Sequence, residues 1–426
     1  VKLRRLEANE VEGLDRRPVG SATLIAAAEI VETVRTGGER AVRRFAEKFD
    51  EVASDGPLVI GREELDTALD RLPDGDRRLV LRTAARIDTF AAKQRASLTD
   101  LTLEIAGGRA GHHVEPVGRA GCYAPGGRYP LPSSVLMTAV TARVAGVDSV
   151  VVASPKPTPV TLAAAAVAGA DAVLAVGGAH AVAALAYGFD GFDPCDVVVG
   201  PGNRWVTAAK QLVAGQVGID MLAGPSELVV LADEDADAAM VAADLLAQAE
   251  HDPEALPVLV TTSEVLASTV EAEIDDQLAD LPTRKVALAA LDNGFVTVAP
   301  DMETAIGVCD RLAPEHLQVM TVNPREVASR LRHWGGLFVG SGSAEVLGDY
   351  GAGPNHTLPT GGVARYRGGL SVMDFLRVRT WLEIDDPTAA RQTVEDSIAL
   401  ARLEGLEAHA RAAEKRLNQS TNPLRR

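Results

Sequence analysis

Several short stretches of the chain set imidazoles beside carboxylates or amides at spacings that suit metal binding or proton transfer. In VAADLLAQAEHD, Val241 to Asp252, the apolar residues Val241, Ala242, Leu245, Leu246 and Ala249 recur at helical spacing. An amphipathic helix is expected there, with Gln248 and His251 on one face near its C-terminal end. A neutral imidazole donates a lone pair to a metal, and an amide oxygen is a harder second ligand; the alternative is a polar helix end capped by its own side chains. Glu315 and His316 adjoin in a loop after Pro314 and before an expected strand. They could divide proton transfers, one activating water and the other relaying, or be a surface pair. Asp349 and His356 bracket DYGAGPNH, a loop whose glycines and proline permit a sharp return, and a carboxylate with an imidazole suits Zn²⁺. His409 lies on the last expected helix with Glu404 five residues before it. His112, His113 and His333 have no such company and read as structural or exposed.

The elements that must position these groups follow from periodicity. Residues 20 to 100 read as helices, with Ser21 a candidate N-cap, a Gly37-Gly38 break, and Phe45, Phe49 and Phe90 as core. From Val117 short apolar runs alternate with helices. The expected strands are 149–154, 171–177, 196–200, 227–233, 257–262, 295–300, 317–321 and 336–340, with helices near 159–169, 179–187 and 204–213 between the first of them. Such alternation marks βαβ units, so two α/β parallel sheets are expected, divided near the AGPSE turn, Ala223 to Glu227. The tail beyond Phe375 reads as helical, ending in a polar, frayed NQSTNPLRR. Three glycine-rich turns follow strands: APGGRYP (124–130), VGGAHA (176–181) and VGPGNRW (199–205). None matches GxGxxG. Singly each is an ordinary tight turn; together, at strand ends, they favour a nucleotide crevice.

Composition narrows the class. A chain of 426 residues exceeds one ordinary core, so two or more domains are expected. With a formal charge of -17 and no long basic cluster, nucleic acid and anionic membrane are poor partners. Cys122, Cys195 and Cys309 form no CxxC pair, which fits a reducing compartment. No stretch has the length of a membrane span or the h-region of a leader. A cytoplasmic enzyme acting on a small molecule is the expectation.

Together GCYAPGG, PSSVLM, ARVAGV, GGAHAVAALAYG, GPGNRWVTAAK, DMLAGPSE, ADLLAQAEH, APEHLQ, GDYGAGPNHTLPT, GGLSVMDFLR and EGLEAHA carry a resemblance to the histidinol dehydrogenase family over residues 20 to 415. It implies two Rossmann-like domains, with small N- and C-terminal helical segments exchanged across a homodimer. On this sequence the division would be 1–19 as an N-terminal segment, 20–121 with 228–370 as the larger domain, 122–227 as the NAD-binding domain, and 371–426 as the tail. By the same resemblance Gln248, His251, Asp349 and the partner subunit's His409 would hold one zinc per subunit. Glu315 and His316 would be catalytic. Ser226, Gln248, His251, His316, Asp349, His356, Glu404 and His409 would meet substrate, and Tyr123, His180 and Asn203 would meet NAD. The implied reaction oxidises an alcohol through an aldehyde to a carboxylate with two NAD⁺. His316 would take the hydroxyl proton, Glu315 would activate water, and the zinc would orient the substrate.

Two departures bear on the substrate. His180 stands where the family commonly has Gln; it still can hydrogen-bond a ribose. PGGRYPLPSS, ARYRGGLSV and RLEGLEAHARAAEKR are similar to a sister branch, the sulfopropanediol dehydrogenases; Arg128 could clamp a sulfonate, contact a cofactor phosphate, or be an exposed loop Arg. GPSE, APEHL, GDY and PSSVLM favour histidinol, giving L-histidine. A metal-binding homologue without catalysis is disfavoured, because every catalytic position is intact.

Overall fold

The structure is a computed structural model that describes residues 2–14, 16–49, 56–126 and 130–417. It contains two units, one of residues up to Arg95 with Val117–Phe375, the other of Ala96–Pro116 with the chain from Leu376 onward. Arg128 and the NQSTNPLRR tail lie outside the described residues.

The first unit carries two six-stranded sheets. One runs Val59–Gly61, Ala172–Leu174, Ser149–Ala153, Arg119–Tyr123, Val197–Val199, Gly218–Ile219, and is parallel except for its first strand. The other runs Arg4–Arg5, Phe295–Val298, Leu256–Thr261, Glu227–Ala232, His316–Met320, Gly336–Val339, and is parallel throughout. Setting aside the added outer strand, each sheet has the doubly wound order in which the first-formed strand lies beside the fourth. A crevice opens where the winding reverses. The expected strands agree with the observed ones within a few residues. The division at the AGPSE turn falls between the two sheets.

The grouping of the N-terminal residues differs from the expected one. Val59–Gly61 is an edge strand of the 119–219 sheet. Helix Ser21–Phe49 packs on helices Gly178–Tyr187 and Arg204–Val213, and helix Arg62–Arg71 on Pro159–Val167. The cause is the apolar face Ala27, Val31, Val34, Ala41, Val42 and Ala46, which shares one core with Val182, Leu185 and Val206. Residues 21–49 and 59–71 therefore belong with the 119–219 sheet and not with 228–370, and Arg4–Arg5 joins the other sheet. The Gly37-Gly38 break is present: Gly38 has φ 55 and ψ −143, values outside the helical region, and two helical stretches meet there across a kink. Phe45 is packed against the core, but Phe49 and Phe90 are 50% and 40% exposed, because each sits on the outer face of its helix.

In the second unit, Leu101–Ile105, Gly108–Pro116 and Leu376–Ile384 form an antiparallel sheet, followed by helices Arg391–Leu403 and Glu407–Leu417. The tail thus begins as a strand. LRVRTWLEI alternates apolar with charged or large residues at a period of two, which a pleated pairing satisfies and a helix does not. Among the described residues no helix is long and apolar enough to cross a membrane, and all three cysteines are free and buried.

Candidate active site

A cleft of about 930 Å³ in the first unit is lined from two directions. The 119–219 sheet contributes loops at the carboxyl ends of its strands: Pro125 after Arg119–Tyr123, and Pro201, Gly202 and Asn203 after Val197–Val199. These flank the strand pair where the winding reverses. The 227–339 sheet contributes the opposite ends of its strands. Ser226 precedes Glu227–Ala232, Glu315 and His316 begin the next, and Glu254 and Asn293 precede two more.

Glu315 is seated by the strand beside it. The Ser226 hydroxyl donates to Glu315 Oε2 at 2.6 Å and the Glu227 N–H donates to the same oxygen at 2.9 Å. Burial pushes the carboxyl up to about 8, although both hydrogen bonds pull the other way. His316 is held by the same strand: its Nδ1 lies 3.0 Å from the Glu227 carbonyl. A carbonyl only accepts, so Nδ1 carries the proton and Nε2 keeps the lone pair. Nε2 lies 3.8 Å from Asp349 Oδ1. One peptide segment, Ser226-Glu227, thus orients both members of the pair. Both are buried, so the dipeptide is not a surface pair.

Ligand atoms of His251, Glu345 and Asp349 all lie within 4.8 Å of one another. The helix expected over 241–252 spans Ala238–Ala249, started by the Asp237 side chain accepting from Ala239 and Met240 N–H. His251 is therefore in the turn just beyond it. Gln248, in its last turn, is wholly buried, and neither its amide nitrogen nor its oxygen has a hydrogen-bond partner. Glu345 is 3% exposed, and neither carboxylate oxygen is hydrogen-bonded. Burial pushes it up to about 8, opposed by His316 and reinforced by Asp349, Glu315 and Asp244. Buried polar atoms without partners are rare and costly. An amide oxygen, an imidazole and carboxylates without a thiolate suit a zinc-type divalent cation, so the donor set fits the metal that the sequence implies. Glu345 was missed by sequence reasoning. Its signal was its place four residues before Asp349 in EVLGD, one turn of the same short helix.

His356 also faces the cleft. Its Nδ1 lies 2.9 Å from the Asp349 carbonyl and so carries the proton, while Nε2 accepts from Ser134 Oγ at 3.2 Å. Burial, which favours the neutral ring, lowers its pKa against the pull of Asp349. On the cofactor side, Asn203 caps helix Arg204–Val213, its Oδ1 accepting from Trp205 and Val206 N–H at 3.0 and 3.3 Å. The Tyr123 hydroxyl accepts from Gly178 N–H at 3.0 Å, tying the first strand end to the VGGAHA turn.

The cleft therefore gathers Asn203, Ser226, His251, Glu315, His316, Asp349 and His356, with Gln248 buried on the adjoining helix. Tyr123 and His180 do not line it; His180 is 2% exposed and packs near Phe45 and Phe49. Glu404 and His409 belong to the second unit.

Known proteins share both the sequence and the shape. The family model for histidinol dehydrogenase matches residues 18–417. A histidinol dehydrogenase of Parasynechococcus marenigrum is 46% identical over 396 residues, 91% of this chain and 90% of that protein. One of Thermus thermophilus is 46% identical over 390 residues, 91% and 93% of the two chains. The crystal structure of histidinol dehydrogenase from Elizabethkingia anophelis superposes with a TM-score of 0.90 at 30% identity, covering 97% of this chain and 98% of that one. A match over nearly the whole length, in sequence and in fold, has one meaning: the chain belongs to the histidinol dehydrogenase family.

Proposed function

We propose that this NAD-dependent oxidoreductase converts L-histidinol to L-histidine in two successive two-electron oxidations, as part of histidine synthesis in the cytoplasm. The names of the relatives support this substrate and do not favour a sulfonated diol. The observation that carries the reading is the Ser226-Glu227 segment, which holds a buried carboxylate and an imidazole beside a donor set for a divalent cation.

In balance, R–CH₂OH, two NAD⁺ and water give R–COO⁻, two NADH and three protons. NAD⁺ supplies a hydride acceptor for each oxidation. A zinc ion would be held by Gln248, His251 and Asp349 and would supply a fixed positive charge to orient the substrate. In the first oxidation His316 takes the hydroxyl proton on Nε2, the nitrogen left unprotonated by the Glu227 carbonyl, and Nδ1–H stays bound to that carbonyl as the ring becomes cationic. In the second, Glu315 removes a proton from the water that attacks the aldehyde carbon. Ser226 and Glu227 N–H bind only its Oε2, which fixes the carboxyl plane and leaves Oε1 to meet the water. Seclusion of the pair in the cleft keeps bulk water from competing.

By this reading His409 of the partner subunit completes the metal site, Glu404 meets the substrate, and the protein works as a homodimer with shared sites. The direct test is NADH production on L-histidinol and on sulfopropanediol side by side. Turnover of histidinol with two NADH per molecule is the expected result. Turnover of the sulfonated diol alone would overturn the substrate assignment.

A further inference from the structure

Behind the glycine turn at the cleft lies a buried ion pair that the proposed chemistry does not use. Lys210, on helix Arg204–Val213, and Asp220, just past strand Gly218–Ile219, are 2% and 1% exposed and paired with each other. We propose that Lys210 and Asp220 are positioning residues that preset the cofactor turn Gly200 to Asn203 and the seat of Glu315. This rests on the reading that NAD meets that turn.

The two charges grip one peptide residue from both sides. Lys210 Nζ donates to the Gly200 carbonyl at 3.0 Å, and the Gly200 N–H donates to Asp220 Oδ2 at 2.7 Å. Asp220 Oδ1 accepts from Met221 N–H at 2.6 Å. Gly200 has φ +113, and a Cβ there would stand 2.0 Å from the Tyr123 carbonyl oxygen. Only glycine lets the two strand ends approach so closely where the winding reverses. Glycine is also the residue least able to hold such a conformation by itself. The ion pair supplies that constraint.

Stability alone is a poor reason for the pair. A buried ion pair often contributes no more than an apolar pair of the same volume, because both charges lose their water. What an apolar pair cannot do is bind both the N–H and the C=O of Gly200. The same helix also reaches the catalytic side. Thr207 Oγ1 donates to the Ala223 carbonyl at 2.6 Å, and the stretch from Asp220 ends at Ser226, the donor to Glu315. Helix Arg204–Val213 thus fastens the start and middle of the link between the two sheets.

The test uses the full-length, zinc-loaded enzyme with Lys210→Met, Asp220→Asn and the apolar double variant Lys210→Met/Asp220→Leu. Each is measured for melting temperature and for the KM and kcat of NAD⁺. The single variants leave a partner charge or dipole uncompensated and should lose both stability and NAD⁺ affinity. The double variant should recover stability while its KM for NAD⁺ stays raised by about 10-fold or more, the usual cost of removing a supporting residue. Wild-type KM and kcat in a stable double variant would overturn the proposal. Asn203→Asp, which keeps the helix cap and removes the amide donor, checks the underlying reading. If it raises the NAD⁺ KM and the double variant does not, the ion-pair proposal alone fails; if neither does, the cofactor reading fails with it. Hydrogen exchange on the wild-type enzyme needs no variant. The Gly200 and Met221 amides should be protected before NAD⁺ is added, and protection that arises only on adding NAD⁺ would also overturn the proposal.

Discussion

The two sheets have the same winding order, yet they present opposite ends to the cleft. The 119–219 sheet offers the carboxyl ends of its strands, the usual ligand side of a doubly wound sheet. The 227–339 sheet offers its strand beginnings, where Ser226, Glu315 and His316 stand. Their polar groups differ in the same sense. At the carboxyl ends of the first sheet's strands, three buried polar side chains are paired with backbone: Tyr123 with Gly178, and Lys210 and Asp220 with Gly200. At the second, Gln248 and Glu345 are buried without hydrogen-bond partners, and Glu315 is pushed up to about 8. On the proposed reading, the satisfied network is a rigid backbone cradle for NAD, and the unsatisfied one holds the groups that a cation and a reacting substrate would complete.

The sharpest way to break this contrast is at the catalytic pair. His316→Ala should slow alcohol oxidation by about 10³-fold, the middle of the range for a general acid/base group, and aldehyde oxidation by less. Glu315→Gln should reverse the order, slowing aldehyde oxidation by about 10³-fold and alcohol oxidation by roughly 10-fold or less. Single-turnover NADH bursts starting from each substrate separate the steps. Equal losses in both would show that the two residues act as one unit.

A second prediction concerns what completes the open donor set. If His409 acts on the partner's zinc, His409→Ala and His251→Ala subunits, each inactive alone, should complement when mixed. In the mixed dimer, the site on the His409→Ala chain keeps its own His251 and borrows an intact His409. Half of the dimers are mixed and one site of two works, so roughly a quarter of wild-type activity should return in a closed two-fold dimer. No recovery after confirmed subunit exchange would assign His409 to its own chain.

The 119–219 sheet was the more legible half of the site, for a physical reason. Its ligand face is made of strand-following glycine turns, a local pattern that a sequence displays, and strand Val197–Val199 with its turn came out as read. The catalytic face was visible as residue types, Glu315 and His316, but the hydrogen bonds that seat Glu315 and set the His316 tautomer come from Ser226 and Glu227, 88 or 89 residues away in the pairs they form. No local pattern carries such a pairing. Glu345 and the Lys210–Asp220 pair were hidden because a buried charge and a surface charge look alike in sequence. Helix Ser21–Phe49 was correctly read as helical, but its apolar face does not say which sheet it covers. The strand Leu376–Ile384 was lost within a tail dominated by helical composition.

The smallest predicted effect tests the unsatisfied side by stability alone. In the metal-free enzyme Glu315 and Glu345 are each pushed from 4.5 up to about 8. Between those values the folded chain holds protons that the unfolded chain has released, so stability must fall as pH rises. It is fully present below about 4.5 and lost as pH passes 8. Asp244, raised from 3.8 to about 6 by burial, adds to the fall only in the lower part of that range. His356 works in the opposite direction: its pKa is lowered from 6.5 by burial, so its contribution rises with pH up to that value. The window to use is therefore pH 6.5 to 8, above the range of Asp244 and of the rising His356 contribution, where both glutamates still lower stability as pH rises. Bound zinc favours their ionised forms and should flatten the dependence. The metal-free protein should lose on the order of 5 °C in melting temperature across that window, and the zinc-loaded protein distinctly less. Glu315→Gln/Glu345→Gln should remove the slope from the metal-free protein. A metal-free melting temperature that stays level or rises from pH 6.5 to 8 would mean that these carboxyls are compensated by the protein itself, and the contrast between the two sheets would not hold.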